Sequence, residues 1–272
     1  MKKIDSFLGL IMHVLIVFII GCEQKSDHKL LEYITIEQEV IELCNTCPPG
    51  FLLNADNQCI AKNMYQQYES LQDAGVGGLK TALPEIRDGF SPQQIDLGRY
   101  LFFDPVLSLD GSISCASCHD PNKGFSDGRA TPKGIHDSLL TRSSPSLWNV
   151  AYLKKFFWDA RASSLEEQMQ GPLYAANEMA NTPENLLTTL NGIPTYRRLF
   201  LQAFPDKRMN DSIQLQEVYT SIVAFETSLI SLNSRYDRYA HGFHGALNSN
   251  EIEGLNIFRS FVARCAECHT PP

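Results

Sequence analysis

The sequence predicts an all-α protein. Three observations carry that reading: apolar residues recur at three- and four-residue steps in several stretches, a serine or threonine cap precedes most of those stretches, and no alternating run of comparable length suggests a strand. The eight cysteines and the two short motifs that hold four of them then decide how the helices are used.

Taken in order, residues 1–21 read as a secretory leader. Lys2 and Lys3 stand before an apolar run from Phe7 to Ile20, too short and too basic in front to favour a membrane span. Its end, Ile19-Ile20-Gly21-Cys22, resembles the lipobox of bacterial lipoproteins, so Cys22 is expected to carry a lipid anchor on an exported chain. Residues 22–62 form a Cys-rich segment in which Cys44, Cys47 and Cys59 surround Pro48, Pro49 and Gly50, as in a small disulfide-stapled loop with an anchoring or spacer role. Three is an odd number, so one of these thiols is free or paired elsewhere. Residues 63–90 are polar, then glycine-rich, and read as a helix and a linker.

At Ser91-Pro92-Gln93-Gln94 a helix opens with a serine cap, a proline at the first helical position and a glutamine three residues after the cap. Ile95, Gly98, Leu101 and Phe102 share one face, and Asp104-Pro105 ends the helix. The next element is Cys115-Ala116-Ser117-Cys118-His119. C-x-x-C-H is the attachment pattern of a c-type haem: thiols at i and i+3 form thioethers to the vinyl groups and the histidine at i+4 ligates iron. The preceding helix would then form one wall of a haem pocket. A second copy, Cys265-Ala266-Glu267-Cys268-His269, predicts a second haem. A zinc site or a disulfide within each motif is the plainer reading, but zinc ligand pairs usually come from one compact module, and these lie 150 residues apart. Pro48 stands where a third motif would need histidine.

Between the motifs, a loop with Gly124, Gly128, Pro132 and Gly134 is long enough to be functional. Ser164 with Glu167 marks a capping box, Thr182-Pro183 starts another helix, and Leu215, Val218, Ile222, Phe225, Leu229 and Leu232 predict a long amphipathic one. Ile252, Leu255, Phe258 and Phe261 repeat the pattern before Cys265. The net charge of −8 becomes −9 without the leader. That balance argues against nucleic acid and permits a basic electron donor. Roughly 250 mature residues are enough for two small domains with real cores.

Several ordered stretches resemble the bacterial di-haem cytochrome c peroxidases and their MauG-like relatives. They are LGRYLFFDPVLSLDGSISCASCHDP, RSSPSLWNVAY, FFWDARASSLEEQMQGPLYAANEMA, RYDRYAHG and GLNIFRSFVARCAECH, running from about Leu97 to His269. The resemblance implies two cytochrome c-like haem domains: a first, peroxidatic one with interdomain helices over 91–245, and the start of a second, electron-transfer one over 246–272. It implies that Cys115, Cys118 and His119 hold the first haem and Cys265, Cys268 and His269 the second, with His119 and His269 as proximal iron ligands. It further implies that Glu178 moves a proton between the oxygens of bound hydrogen peroxide, that Gln168 lines the same pocket, and that Trp158 stands between the haems. From the residues alone, Glu178 reads as a solvated helix-end carboxylate and Trp158 as core packing.

Departures from the family pattern matter as much. Ala160 stands where glycine is usual, which has consequences only if that backbone needs positive φ. The distal histidine of the reductively activated members follows a glycine directly; here Gly134 is followed by Ile135, and His136 comes one place later, which favours an open first site. Ser143 replaces an asparagine that helps hold an interdomain calcium, which serine and backbone carbonyls would still suit. The chain stops at Pro272, three residues past His269, so an incomplete second domain is expected, its distal Met or Tyr supplied elsewhere. The reading reached is an exported, periplasmic, lipid-anchored di-haem peroxidase. It reduces hydrogen peroxide with electrons from a small donor protein such as cytochrome c, with a homodimer left open. The alternatives are a MauG-like oxidase acting on a protein or small molecule, and a non-catalytic di-haem electron carrier, which would not need Trp158, Gln168 and Glu178.

Overall fold

The computed structural model describes residues 41–62, 84–240 and 243–269. The leader, the lipobox and the helix expected near residue 63 lie outside the described residues.

The first helix, α1 (Pro92–Phe103), begins as its sequence requires. Ser91 Oγ accepts from the Gln94 amide at 3.1 Å, Gln94 Oε1 accepts from the Ser91 amide at 3.0 Å, and Pro92 supplies a first turn that needs no donor. Ile95, Leu97, Gly98, Leu101 and Phe102 are buried along it. The helices that follow are α2 (Cys115–Cys118), α3 (Leu165–Tyr174), α4 (Pro183–Gly192), α5 (Pro194–Ala203), α6 (Leu215–Thr227), α7 (Arg235–Ala240) and α8 (Ser249–Arg259). The core forms where α1 lies against α6, with α3, α4 and α5 packed around the pair. At Gly98 the two central helices meet backbone to backbone: a Cβ there would stand 1.8 Å from the Ser221 carbonyl oxygen.

Two expected helices are shorter than their apolar patterns. α6 stops at Thr227, where Thr227 Oγ1 turns back to the Val223 carbonyl at 2.8 Å, so Leu229 is buried from the following loop and Leu232 lies beyond the helix. α8 ends at Arg259, and Phe261 is 90% exposed outside it. At α3 the cap is half a box: Ser164 Oγ accepts from the Glu167 amide, but the Glu167 carboxylate turns to Ser163 instead.

The Cys-rich segment departs from the spacer role. It folds into an antiparallel hairpin, β1 (Phe51–Leu53) with β2 (Cys59–Ala61), registering Phe51 with Ala61 and Leu53 with Cys59. A Cys47–Cys59 disulfide closes it, and Cys44 is also disulfide-bonded, so the odd thiol of the three is paired elsewhere. The segment is built into the domain: Phe51 and Cys59 pack with Ile95 and Ala224, Cys59 exchanges backbone hydrogen bonds with Gly89 and Phe90, and the Cys44 amide donates to Asp96 on α1. The hairpin is too short to show as an alternating pattern and is the one sheet among the described residues. No described helix is long and apolar enough to cross a membrane.

Candidate haem site

The first motif sits at the edge of the core. Ser114 precedes α2, the Ser117 amide donates to the Ser114 carbonyl, and the His119 amide donates to the Cys115 carbonyl at 2.9 Å, one turn that sets both thiols and the imidazole on a single short element. Cys115 and Cys118 are unbonded thiols, so no disulfide closes the motif. Burial pushes the Cys115 thiol up to about 12, with a smaller push from Glu226. Burial also raises Cys118, helped by the charges of Asp127 and Glu178.

His119 Nδ1 lies 2.9 Å from the Phe125 carbonyl oxygen. Donation there fixes the tautomer and leaves Nε2 as the ligating nitrogen, the arrangement a proximal ligand needs. Burial lowers the imidazole below the usual histidine range, which keeps it neutral. Phe102, Phe125, Leu147, Phe225 and Leu229 form one buried apolar cluster with Cys115 and Ala116 at its edge, and the Phe102 ring centroid stands 6.5 Å from that of His119. Phe102 is the contribution of α1 to this cluster. Two unbonded thiols, a tautomer-fixed histidine and an apolar wall fit a covalently held haem. Among the described residues no group of three or more His, Cys, Asp or Glu side chains is arranged to hold a metal ion by itself.

Glu178 follows α3 in a turn anchored by Met179, which is buried and exchanges backbone hydrogen bonds with Leu109 and Pro172. The neighbouring Glu178 side chain is half-buried. Burial raises its carboxyl above the usual range and Arg161 pulls it back, so it is neither the ordinary solvated carboxylate nor a locked ion pair. Arg161 itself stacks 3.5 Å over the Phe157 ring and bonds Asp159 at 2.7 Å. Gln168 is half-buried on α3.

Trp158 contradicts the core-packing reading. It is 87% exposed, at the tip of a loop closed by the Phe156–Ala162 bridge. Phe157 and Ala160 in that loop have φ of 65° and 57°, so the alanine stands in a conformation that favours glycine.

A second loop clamps the Glu178 segment. The Ile135 amide donates to the Glu178 carbonyl at 2.9 Å, and Ser138 Oγ lies 2.6 Å from the Asn177 carbonyl and 2.8 Å from that of Ile135. Gly134 touches the same backbone, since a Cβ on it would lie 2.0 Å from the Asn177 oxygen. Ile135 is buried, whereas the His136 side chain is 76% exposed and sits 3.8 Å from Asp110.

Two buried acids near the motif were not read from the sequence. Asp127 has one oxygen on the Arg129 amide and the other without a hydrogen-bond partner, and Glu226 on α6 also has an unpartnered buried oxygen. The only signal for Glu226 was a charge directly after the apolar run Ile222–Phe225 of α6. The second motif forms a short 3-10 turn, Cys265–Glu267, after α8; both thiols are unbonded, and an Arg264–Glu267 ion pair spans the turn. Ser143, expected to help with calcium, is exposed.

The helical core and the C-x-x-C-H turn with its apolar surroundings are those of a c-type haem protein. The di-haem cytochrome c peroxidase family matches residues 92–244, and the chain belongs to that family, whose members bind two c-type haems. It is 36% identical over 180 residues to a methylamine utilization protein MauG of Methylorubrum extorquens, covering 66% of this chain and 50% of that one. To a cytochrome c551 peroxidase of Nitrosomonas europaea it is 34% identical over 194 residues, covering 71% and 55%. Among solved structures, a MauG-like protein associated with microbial copper homeostasis superimposes with TM-score 0.63 at 30% identity, covering 70% of this chain and 57% of that one. The di-haem peroxidase BthA of Burkholderia thailandensis gives 0.60 at 28%, covering 69% and 51%. The chain spans about half the length of the curated relatives it matches.

Proposed function

We propose that the chain is a di-haem c-type peroxidase that reduces hydrogen peroxide to water with electrons from a small donor such as a cytochrome c, passed from the second haem to the first. The observation that carries this reading is Glu178: a half-buried, raised carboxyl whose charge is felt at Cys118 of the first motif. An electron carrier has no use for such a group.

In this reading Cys115 and Cys118 hold the first haem through thioethers and His119 ligates it through Nε2; Cys265, Cys268 and His269 do the same for the second. The haem, when bound, supplies the iron that receives peroxide and exchanges electrons. Glu178 would take a proton from one oxygen of hydrogen peroxide and return it to the other, so that the O–O bond breaks with water leaving. A carboxyl raised by burial is closer to neutrality than an ordinary one and exchanges that proton more readily near pH 7. Overall, hydrogen peroxide, two electrons and two protons become two waters. Gln168 lines the pocket, and the exposed Trp158 ring offers an aromatic step for electrons. The outward His136 and buried Ile135 support a first site that needs no reductive opening. Export and a calcium held partly by Ser143 belong to the same proposal.

Glu178→Gln in the haem-loaded protein is expected to keep both haems and lower peroxide turnover by at least about 100-fold. Unchanged turnover would sink the assignment. The second reading, MauG-like oxidation of a protein or small molecule, draws on MauG relatives as similar as the peroxidases. Peroxide consumption that requires such a substrate, with a cytochrome donor inactive, would select it.

A further inference from the structure

We propose that Glu226 is the proton acceptor coupled to reduction of the first haem: a buried carboxylate behind the C-x-x-C-H turn that is protonated as the iron gains an electron. Glu226 lies in the last turn of α6, 7% exposed, between the buried Phe225 and Thr227. Its Oε2 has no hydrogen-bond partner. The adjacent Thr227 hydroxyl is already bonded to the Val223 and Ala224 carbonyls, so it does not serve the acid.

The charged and titratable groups around it leave Glu226 without a cation of its own. On α3, Glu166 faces it, but Arg87 is committed to Glu166 by a two-pronged ion pair, one arm at 2.7 Å. On α2, Cys115 faces it and is a neutral thiol. α1 meets this end of α6 with the aromatic rings of Phe102 and Phe103, while its Asp96 and Arg99 pair with each other. The remaining groups are Tyr152, on the 3-10 turn beside α6, and the Tyr174–Tyr219 pair, whose hydroxyls bond each other.

A carboxylate isolated in this way is sensitive to any nearby change of charge. Burial, with Glu166 adding to it, pushes Glu226 up to about 8, so near neutrality the acid form prevails until the positive charge of an oxidised centre placed beside it draws the proton off. A haem on Cys115 supplies that centre. In the step, one electron from the donor converts ferric to ferrous iron, and one solvent proton converts the Glu226 carboxylate to the acid, leaving the local charge constant. The inference rests on attachment of the first haem to Cys115, Cys118 and His119, and makes Glu226 a positioning residue that acts through the haem without touching peroxide.

The test is a spectroelectrochemical titration of the haem-loaded protein across neutral pH, following the two haems separately by their spin-state signals. The reduction equilibrium of the first haem should shift close to tenfold for each pH unit, about 59 mV for one electron, while the second stays flat. Glu226→Gln should abolish the dependence and Glu226→Asp should keep it with a displaced window. A flat wild type, or a slope surviving in Glu226→Gln, overturns the proposal. If the glutamine variant does not fold, redox-difference infrared spectra of the wild type decide. The carbonyl stretch of a protonated acid, sensitive to glutamate isotope labelling, must grow on reduction, and its absence overturns the proposal. Peroxide turnover measured in parallel separates the two claims: lost turnover with the slope intact refutes the peroxidase reading alone, and an empty first motif refutes both.

Discussion

Gly134→Ala tests whether Glu178 is held by the loop that clamps it. Gly134 has φ of −87°, so alanine is conformationally acceptable and the effect is one of space alone. The new Cβ would lie 2.0 Å from the Asn177 carbonyl oxygen, 2.8 Å from its carbon and 2.9 Å from the Glu178 Cα, all backbone atoms that no rotamer change relieves. Reaching a tolerable contact separates the segments by about 1 Å or more. The Ile135-to-Glu178 hydrogen bond at 2.9 Å and the Ser138-to-Asn177 bond at 2.6 Å cannot both survive that movement. Overpacking of this kind costs about 1–3 kcal/mol, and a catalytic group displaced by ~1 Å loses on the order of 100-fold in rate. The assay is peroxide turnover per haem beside urea unfolding, with Gly192→Ala as control, since nothing lies within 4 Å of a Cβ there. A folded, haem-replete Gly134→Ala with turnover within about threefold of wild type would refute the claim that this clamp places Glu178 for chemistry.

Other outcomes follow from the same geometry. Ala160→Gly should stabilise the protein by about 0.5–1 kcal/mol, because the ~1–2 kcal/mol strain of φ 57° is only partly offset by glycine's greater freedom when unfolded; a lower thermal midpoint would contradict this. Removing the Cys47–Cys59 disulfide, which closes a loop of separation 12, should cost about 3 kcal/mol in denaturant unfolding, and no loss would show that the hairpin is held by packing alone. Glu226 makes stability depend on pH. Its folded carboxyl, up at about 8, is raised above the unfolded value of ~4.3, so the native state binds the extra proton and stability falls as pH rises between those limits. Glu226→Gln should flatten that decline in urea titrations, and an unchanged profile would remove Glu226 as its source.

Local chemistry made much of the fold legible. Ser91, Pro92 and Gln94 form the expected cap, and Thr182 with Pro183 starts α4, because each signal is satisfied within one turn. Leu229 misled the reading of α6: an apolar residue at helical spacing is buried equally well from a loop, and periodicity does not register where the backbone turns. At the site, the first motif was plain from spacing, whereas Glu178 was distinguished from a solvated carboxylate only by the resemblance, since its half-burial depends on Met179 and on a loop forty residues earlier. Nor did the sequence reveal that Trp158 is exposed, that Ala160 is left-handed or that Glu226 has an unpartnered oxygen. These depend on long-range packing.

The thiols of this chain have opposite fates. Cys47 and Cys59 are joined in the disulfide that closes the hairpin beside α1, while Cys115 and Cys118 are unbonded thiols. Thiol–disulfide exchange runs through the thiolate, and a thiol pushed up to about 12 is almost never ionised at neutral pH, so the closed core insulates Cys115 from scrambling with the oxidised pair. One chain therefore keeps an oxidised pair and a reduced pair side by side because their surroundings, and not their chemistry, set which sulfurs exchange.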